Sequence, residues 1–351
     1  MAKFVVDKNK IKENVAKLKN VFKNKGLNFQ LFYSVKTNYS KPVLEAIKES
    51  DSEYEILSDF EWQLVKMFNP KAVVLNGPAK NIKLVNDILR NVDTLYFNID
   101  NDTDFEIIKE VDPKLSKRLR IGLRTYLNAE GIWDRFGYDI SSEDLLEKIK
   151  KLNQRLVGIH FHFSTNNFKI SNYELLLNRI KDFVDKAKVK LEYLDIGGGL
   201  PASNEFVYEQ EIYEKLPNLI SNIFPGIKII SEAGRNIVAD AMDLEAEVIS
   251  KKRIGDNKFQ VNVDTNVMHI PCTYEKKFWV EYKPGEKSKK ESIELEIYGN
   301  SCMQIDKIVS SVLITQEPAV GDKITIHNIG AYSYSQAANF ITPVPEVKNN
   351  E

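Results

Sequence analysis

Cysteine is scarce in this chain of 351 residues, which contains only Cys272 and Cys302. Two cysteines are too few for a disulfide framework, and their spacing does not match that of zinc ligands. The N-terminal residues lack the apolar core of a signal peptide, and no later run approaches the roughly 20 apolar residues of a membrane helix. These absences predict a cytoplasmic protein without a membrane partner.

The chain also lacks an excess of charge of either sign. It has 49 basic and 50 acidic residues, so the formal net charge is −1. A surface with this balance creates no global field to attract nucleic acid or an anionic membrane, and we expect neither as a partner. Hydrophobic residues make up 43% of the chain. That share is ordinary for a globular protein and excludes the disordered and fibrous classes.

Strand-like runs alternate with helix-like segments through the first two thirds of the chain. Eight such runs occur: QLFYSVK, SEYEIL, KAVVLNG, TLYFNID, RLRIGLRTY, RLVGIHFHF, LEYLDIGGG and IKIISEAG. This count and alternation predict a (β/α)₈ TIM barrel, an α/β fold. An open doubly wound sheet is the alternative, but no Gly-x-Gly-x-x-Gly follows the first strand.

After the eighth run the pattern changes to short alternating strands separated by turns. This pattern predicts an all-β C-terminal domain of the Greek-key or β-sandwich kind. We place the barrel at residues 9–238 and the β domain at residues 239–351, joined by an N-terminal strand within residues 1–8.

In a TIM barrel the chemistry lies at the C-terminal ends of the strands. The first predicted strand ends on Lys36, a residue type that more often extends to solvent from such a position. The sixth carries His160 and His162, which alternate and so point to the same side. A packed core histidine, a ring stacked on a flat group and a metal pair all remain open. No third ligand follows at a suitable spacing, so we predict no metal.

The seventh and eighth strands end in motifs suited to an anion. Gly198 and Gly199 belong to DIGGGLP, whose backbone N–H groups can form an anion-binding nest. Gly234 and Arg235 follow the eighth strand in SEAGRN, with Glu232 pointing inward beside them. A phosphate cradle, an inward carboxylate, a flat imidazole and a lysine together indicate pyridoxal 5′-phosphate.

At this point the sequence resembles the pyridoxal-phosphate-dependent amino-acid decarboxylases of fold type III, the alanine racemase-like barrels. This family includes the ornithine, arginine and diaminopimelate decarboxylases. The motif YSVKTN is similar to the family's YAVKAN, GIHFHFST to GLHFHIGS, LDIGGGLP to LDIGGGFP, and SEAGRNIVA to AEPGRYLVA. In the second domain GNSCMQID resembles GPTCDSLD. The resemblance runs from Phe4 to about Phe340, essentially the whole chain.

The resemblance implies a role for each matching residue at the cofactor. Lys36 would be the Schiff-base lysine, His162 would stack on the pyridine ring, and Glu232 would keep the ring nitrogen protonated. The residues around the phosphate would be Thr165, Gly198, Gly199, Gly234, Arg235 and Tyr332. Arg124 lies at the end of the fifth predicted strand, but LRT at a strand end is too common to assign it a role.

The resemblance also implies a homodimer with shared active sites. Cys302 would reach the partner's site and protonate the product carbanion, since a thiol pKa of about 8.5 permits proton transfer near working pH. The alternative for Cys302 is a small buried hydrophobe. Arg135 in DRFG and Asp306 would form an ion pair between subunits.

One position departs from the family in a way that concerns the substrate. Met303 stands where the family usually has Asp or Glu, which receives the distal amine of the substrate. A thioether cannot neutralise an ammonium group. We therefore expect decarboxylation of an amino acid or an amino-acid conjugate that is not a simple diamino acid. The segment 266–279 has no counterpart in the family that we can place.

Two other functions compete with decarboxylation. An amino-acid racemase can share the two-domain plan, but racemases typically place a neutral or cationic group at the ring nitrogen, and Glu232 argues against this. A non-catalytic pyridoxal-phosphate carrier would need only the barrel. The additional β domain with its cysteine and tyrosine motifs favours an enzyme.

Overall fold

The structure is a computed structural model of the chain. It describes residues 1–127, 134–150, 152, 155–163, 169–201, 209–271, 278–283 and 292–350. Two of the residues singled out above, Thr165 and Cys272, lie outside these ranges. The chain divides into two compact units: the smaller consists of Met1–Ile11, Thr37–Val43 and Val238–Glu351, and the larger of Lys12–Lys36 and Leu44–Ile237.

The larger unit is built on parallel strands. The chain begins with β1 (Lys3–Val6) and α1 (Lys8–Lys23), and then come β2 (Asn28–Ser34), β3 (Glu53–Ile56), β4 (Ala72–Leu75), β5 (Thr94–Ile99), β6 (Leu119–Tyr126), β7 (Tyr138–Asp139), β8 (Leu156–Phe161), β9 (Tyr193–Asp195) and β10 (Lys228–Ser231). Within the described residues, eight of these strands form a closed ring in the order β2-β3-β4-β5-β6-β8-β9-β10. The short β7 pairs with β6 outside the ring. This arrangement confirms the predicted TIM barrel.

Helices connect the strands. They are α2 (Lys41–Glu49), α3 (Asp59–Lys66), α4 (Ile82–Asn91), α5 (Asp102–Glu110), α6 (Glu143–Lys150), α7 (Ile170–Ala187), α8 (Glu209–Ile223), α9 (Arg235–Val238) and, later in the chain, α10 (Ser333–Gln336). Ser58 and Asn81 cap α3 and α4, since each side chain accepts a hydrogen bond from a backbone N–H of the first turn. Among the described helices, none combines the length and apolarity that a membrane span requires.

The barrel strands are largely buried on both faces because helices cover the outside and side chains fill the inside. Every residue of β3 and β4 is buried, as expected for strands of a covered parallel sheet. Tyr96 and Tyr193 meet edge to face with ring centroids 4.8 Å apart, within a buried cluster that also contains Phe32 and Ile230. This packing fixes the strands whose C-terminal ends carry the candidate site.

The smaller unit is mainly a β structure. Its strands are β1 together with β11 (Met242–Gly255), β12 (Lys258–Val263), β13 (Trp279–Lys283), β14 (Ile293–Tyr298), β15 (Lys307–Ile314), β16 (Lys323–His327) and β17 (Glu346–Asn349). They pair in the order β13-β16-β11-β12-β14-β15, and β1 pairs with β11 and β17. Buried and partly exposed residues alternate strictly in β12 and β14, which is the period of a strand with one face on a core. The predicted β domain is confirmed.

Candidate active site

Lys36 lies directly after β2, in the short 3₁₀ turn Val35–Thr37. Its Nζ is 3.4 Å from Oε2 of Glu55, and the Glu55 side chain is only 1% exposed whereas that of Lys36 is 43% exposed. The Ser34 hydroxyl donates to the same carboxylate oxygen at 2.6 Å. Lys36 therefore has a buried anionic partner in the neighbouring strand β3. It does not simply extend to solvent, as a lysine at a strand end more often does.

Glu232 follows β10 and is 6% exposed. The amide Nδ2 of Asn76 donates to its Oε1 at 2.5 Å, and Nε2 of His160 lies 3.3 Å from its Oε2. Burial by itself would raise the pKa of Glu232. The positive influence of His160, hydrogen bonds from His160 and Asp195, and the Lys36 ammonium outweigh burial and hold this pKa below its ordinary range. The site thus contains an ionised carboxylate that is almost out of contact with water.

A chain of buried hydrogen bonds links this carboxylate to Glu55 and Asp195. Asn76 donates through Nδ2 to Oε1 of Glu55 at 3.1 Å as well as to Glu232, and its Oδ1 accepts from Nδ2 of Asn98 at 2.9 Å. The same Nδ2 of Asn98 is 3.3 Å from Oδ2 of Asp195. Two carboxamides therefore connect three carboxyl groups from different barrel strands or strand ends.

His162 follows β8, near the glycine loop after β9. Its pKa is lowered to about 3, first by burial and then by the positive charges of Lys36 and Arg124. A neutral imidazole is consequently the form present at ordinary pH. His160, by contrast, is buried in β8 beside Glu232 and is a packed, hydrogen-bonded histidine.

Arg124, which the sequence left without a role, belongs to the same group of strand ends. It lies in β6, with Nη1 3.5 Å from Oδ1 of Asp100 and its guanidinium carbon 4.8 Å from the centre of the Phe136 ring. Its charge is also among those that lower the pKa of His162. Arg124 therefore adds a fixed positive charge near the neutral imidazole.

The glycine loop after β9 leaves no room for side chains. Gly197 adopts a φ of 63° and Gly199 a φ of 79°, both in the left-handed region that favours glycine. A Cβ placed on Gly198 would lie 2.9 Å from the backbone oxygen of Glu232. The loop is also tied to β10, since the N–H of Glu232 donates to the Gly197 carbonyl at 2.8 Å. This close-fitting backbone is of the kind that forms a cradle for an anion.

Gly234 and Arg235 lie immediately beyond that connection. The carbonyl of Gly234 accepts the N–H of Ile237 at 3.0 Å, and Arg235 is buried at the start of α9. The structure thus brings both residues to the strand end next to the glycine loop.

His160, Asp195 and Glu232 form a cluster whose potential ligand atoms all lie within 4.8 Å of one another. Amide donors already point at these carboxyl groups: Asn76 at Glu232, and Asn98 and the Gly197 N–H at Asp195. Such donors match hydrogen-bond acceptors rather than a cation. The absence of a metal stays a prediction.

Comparison with known proteins identifies the family of this chain. Residues 8–239 match the family model described as pyridoxal-dependent decarboxylase, pyridoxal binding domain. The chain belongs to this family. A probable ornithine decarboxylase of Dictyostelium discoideum is 26% identical over 340 residues, which cover 89% of this chain and 72% of that protein. Antizyme inhibitor 1 of Mus musculus is 26% identical over 335 residues, covering 88% and 74%.

A solved structure of diaminopimelate decarboxylase from Helicobacter pylori, complexed with L-lysine, has the same fold. Its TM-score is 0.83 at 22% sequence identity, and the match covers 100% of this chain and 92% of that chain. The similarity extends through both units of the chain. The resemblance inferred from the motifs is therefore confirmed.

Pyridoxal 5′-phosphate is the cofactor of this pyridoxal-dependent decarboxylase, and the residues of the larger unit fit it. The loop at Gly198 has no space for a Cβ but accessible backbone, which suits a phosphate. The neutral His162 ring suits a flat aromatic partner, and the ionised Glu232 suits a protonated ring nitrogen. The family relatives support amino-acid decarboxylation as the reaction class.

The decarboxylase motif around Cys302 lies in the smaller unit, between β14 and β15. Cys302 is exposed, so the alternative of a small buried hydrophobe does not describe it in this chain. Met303 follows it and is partly exposed. Asp306 is buried, and its two carboxylate oxygens accept the N–H groups of Val267 at 2.9 Å and Ser301 at 2.8 Å.

Three further residues were predicted from the family motifs: Tyr332, Arg135 and Thr165. Tyr332 lies in the smaller unit with a φ of 67°, and its N–H donates to the Thr37 carbonyl at 2.7 Å. Arg135 lies in the larger unit, exposed, with its guanidinium carbon 4.8 Å from the centre of the Phe136 ring. Thr165 is outside the described residues, as stated above.

Sequence reasoning missed four polar residues at or near the barrel strand ends: Glu55, Asn76, Asn98 and Asp195. A signal was available, because Glu55 is a carboxylate near the end of the predicted strand SEYEIL and Asp195 lies two residues before the first of the three glycines. The polar residues at the ends of the predicted strands, taken without regard to known motifs, include these side chains.

Proposed function

We propose that this decarboxylase removes the α-carboxylate of an amino acid or amino-acid conjugate, with Lys36 holding the cofactor and Glu232 acting at its ring nitrogen. The observation that carries the proposal is the hydrogen-bonded connection between these two residues: Lys36 contacts Glu55, and Asn76 joins Glu55 to Glu232. Bound pyridoxal phosphate supplies an electron sink for the bond that breaks.

In this proposal each residue of the larger unit has a physical task. Lys36 would hold the cofactor covalently, and its 43% exposed side chain leaves the amine accessible to a substrate. Glu232, held ionised, would keep a proton on the ring nitrogen, and the neutral His162 would stack on the ring. The phosphate would be bound by Gly198, Gly199, Gly234 and Arg235 and, following the family motifs, by Thr165 and Tyr332.

The ionised state of Glu232 also favours decarboxylation over racemisation. A fully protonated ring is a strong electron sink, which suits the loss of a carboxylate, whereas racemases typically place a neutral or cationic group opposite this nitrogen. The buried hydrogen bonds from Asn76 and Asp195 support the anionic form of Glu232.

We further propose a homodimer in which Cys302 of one subunit supplies the proton to the product carbon in the other. The exposure of its thiol supports this role. The ion pair between Arg135 and Asp306 of the partner remains part of the proposal. Asp306 already accepts two backbone N–H groups, so Arg135 would use its remaining lone pairs. The cytoplasmic location is likewise a prediction.

The substrate class rests on Met303. Of the relatives named above, one is a probable ornithine decarboxylase and another was crystallised with L-lysine, and the distal ends of ornithine and lysine carry an ammonium group. Burying that group against a thioether would cost several kcal/mol, on the order of the penalty for an unpaired charge. We therefore propose a substrate whose distal end is larger or carries a different charge.

The proposal is tested by loading the protein with pyridoxal 5′-phosphate and incubating it in D₂O with amino acids, diamino acids and their conjugates. Products are then read by mass spectrometry. Loss of CO₂ with one deuteron retained at Cα is the expected result, and it identifies the substrate class. Deuterium at Cα without loss of CO₂ would indicate a racemase. No turnover by the loaded protein on any member would contradict the proposed enzyme.

A further inference from the structure

Two carboxyl groups face one another inside the barrel. Asp195, at the end of β9, is 0% exposed, and Glu232, after β10, is 6% exposed. One carboxyl oxygen of Asp195 and one of Glu232 lie within 4.8 Å of each other. Two carboxylates at this distance in a buried site cannot both be ionised, because the repulsion adds to the cost of burial. One of the two must hold a proton.

The surroundings of the two groups are unequal. Glu232 has Nε2 of His160 at 3.3 Å from one oxygen, Nδ2 of Asn76 at 2.5 Å from the other, and the positive charge of Lys36 nearby. Asp195 receives the N–H of Gly197 at 2.9 Å and Nδ2 of Asn98 at 3.3 Å, both of which are neutral. The Lys36 charge and the side chains of His160 and Asn76 at its two oxygens therefore favour a negative charge on Glu232 and leave the proton on Asp195.

The carboxamides give this arrangement a direction. Asn76 must turn its NH₂ group to Glu55 and Glu232, because both are acceptors, and its oxygen then faces the NH₂ group of Asn98. The oxygen of Asn98 in turn accepts from the Tyr193 hydroxyl at 3.3 Å. The amide orientations follow from the carboxylates, and each polar atom of the two amides has a partner.

We propose that Asp195 is a positioning residue of the decarboxylase: as a neutral acid it donates a hydrogen bond to Glu232 and keeps that carboxylate ionised and oriented. The inference rests on the proposed function in one respect, namely that Glu232 serves the ring nitrogen. Burial, followed by the charge of Glu232, raises the pKa of Asp195 well above its ordinary value, in agreement with the geometry.

Infrared spectroscopy tests the proton directly. The protein is prepared with and without ¹³C-labelled aspartate, both before and after loading with pyridoxal 5′-phosphate, and compared with Asp195→Asn at neutral pH. We expect a carboxylic-acid C=O band that shifts on labelling and in D₂O and that is missing from Asp195→Asn. A wild-type spectrum without such a band would overturn the proposal, whatever the activity of the protein.

Cofactor binding separates hydrogen bonding from mere space filling. In Asp195→Asn the amide can still donate to Glu232 and accept from Gly197, and only the 3.3 Å bond with Asn98 is lost. We expect its dissociation constant for pyridoxal 5′-phosphate to stay within about threefold of wild type. Asp195→Ala should bind at least about tenfold more weakly, since the donor is gone. Asp185→Asn, an exposed change on α7, is the matched control.

The other possible outcomes also support or contradict the proposed donor role of Asp195. Equal loss in Asp195→Asn and Asp195→Ala would refute the donor role, and so would a bound divalent metal that disappears with Asp195→Asn. If Asp195→Ala does not fold, the infrared result and Asp195→Asn still decide. If Glu232→Gln retains full decarboxylation, the proposed role of Glu232 fails, while the infrared band would still report the proton on Asp195.

Discussion

The Nζ of Lys36 and Oε2 of Glu55 lie 3.4 Å apart where strands β2 and β3 end. The acid is buried and the lysine half exposed, so the pair holds the amine at the barrel mouth without enclosing it. A charge that is fixed at one side and accessible at the other suits a covalent attachment that must form and be displaced. This relationship makes Lys36 the first residue to test.

Lys36→Ala should abolish covalent attachment of pyridoxal phosphate. Reduction of the loaded protein with borohydride, followed by peptide mass spectrometry, should locate the cofactor on Lys36 in the wild type and nowhere in the variant. Decarboxylation should fall by at least about 10³-fold, ~4 kcal/mol in the barrier. Lys17→Ala, an exposed change on α1, is the control. Cofactor reduced onto another lysine of the wild type would contradict the assignment.

Glu232→Gln should reduce kcat even when the protein is saturated with cofactor. The amide cannot hold a proton on the ring nitrogen by charge, so the electron sink weakens, and we expect a loss of about 100-fold, ~2.7 kcal/mol in the barrier. Steady-state kinetics with saturating cofactor measure this, and Glu174→Gln on the outer helix α7 is the control. An unchanged kcat would remove Glu232 from the mechanism.

The sequence was sufficient to predict which strand ends carry chemistry, because closing a parallel barrel brings all C-terminal ends to one side. Lys36, Gly198 and Glu232 could be assigned in this way before any distance was known. The partners of these residues could not. That Asn76 joins Glu55 to Glu232 depends on side-chain directions inside the barrel, which no local pattern encodes.

The set of segments that form the smaller unit shows a second limit of prediction from sequence. Alternation of apolar and polar residues predicted its strands, because one face of each packs on a core. The segment Thr37–Val43 nevertheless belongs to that unit. This segment belongs to the smaller unit because of non-local hydrogen bonds, such as that from Nδ2 of Asn38 to the Gly330 carbonyl at 2.9 Å. The residues next to Asn38 in the sequence do not indicate such a bond.

His162 should remain a neutral imidazole down to about pH 4, because its pKa is lowered to about 3 by burial and then by nearby positive charge. Histidine NMR resonances recorded against pH measure this directly. The folded pKa lies below that of the unfolded chain, so the unfolded state binds the extra proton as pH falls from about 6.5. The contribution of His162 to the free energy of unfolding should decline in that range by up to ~1.4 kcal/mol per pH unit.

The same property can be removed by substitution. His162→Phe keeps a flat ring but no titrating group, and its free energy of unfolding should decline less steeply between about pH 6.5 and about pH 4 than that of the wild type. Urea unfolding at several pH values tests this. A His162 resonance that titrates near the ordinary histidine pKa would show the prediction to be wrong.

The contribution of Glu61 to the stability of the protein should be larger in mild acid than in mild base. It is buried in α3, accepts the Leu57 N–H at 2.5 Å, and has a pKa raised to about 7 by burial and then by the charge of Glu55. Because the folded pKa exceeds the unfolded one, the favourable contribution is present below about pH 4.5 and is lost as pH rises through 7.

Glu61→Gln keeps the acceptor and removes the titration. Its stability should match that of the wild type near about pH 4.5 and exceed it by up to ~3 kcal/mol near about pH 8. Chemical denaturation at both pH values measures the difference, with Glu174→Gln as an exposed control on α7. A gain of the same size at both pH values would mean that packing, not ionisation, is responsible.

Met303→Asp should convert the substrate preference toward diamino acids. A carboxylate at this position can neutralise a distal ammonium, and a hydrogen bond to a charged group is worth about 1.5–3 kcal/mol, so kcat/KM for ornithine or lysine should rise roughly 10- to 100-fold. Met303→Asn is the matched control, since it is polar but uncharged. Both variants are assayed against the panel of amino acids, diamino acids and conjugates used for the wild type. If Asn gains as much as Asp, charge is not the discriminating property. If neither gains, Met303 does not contact the distal end of the substrate, and the argument against diamino acids fails.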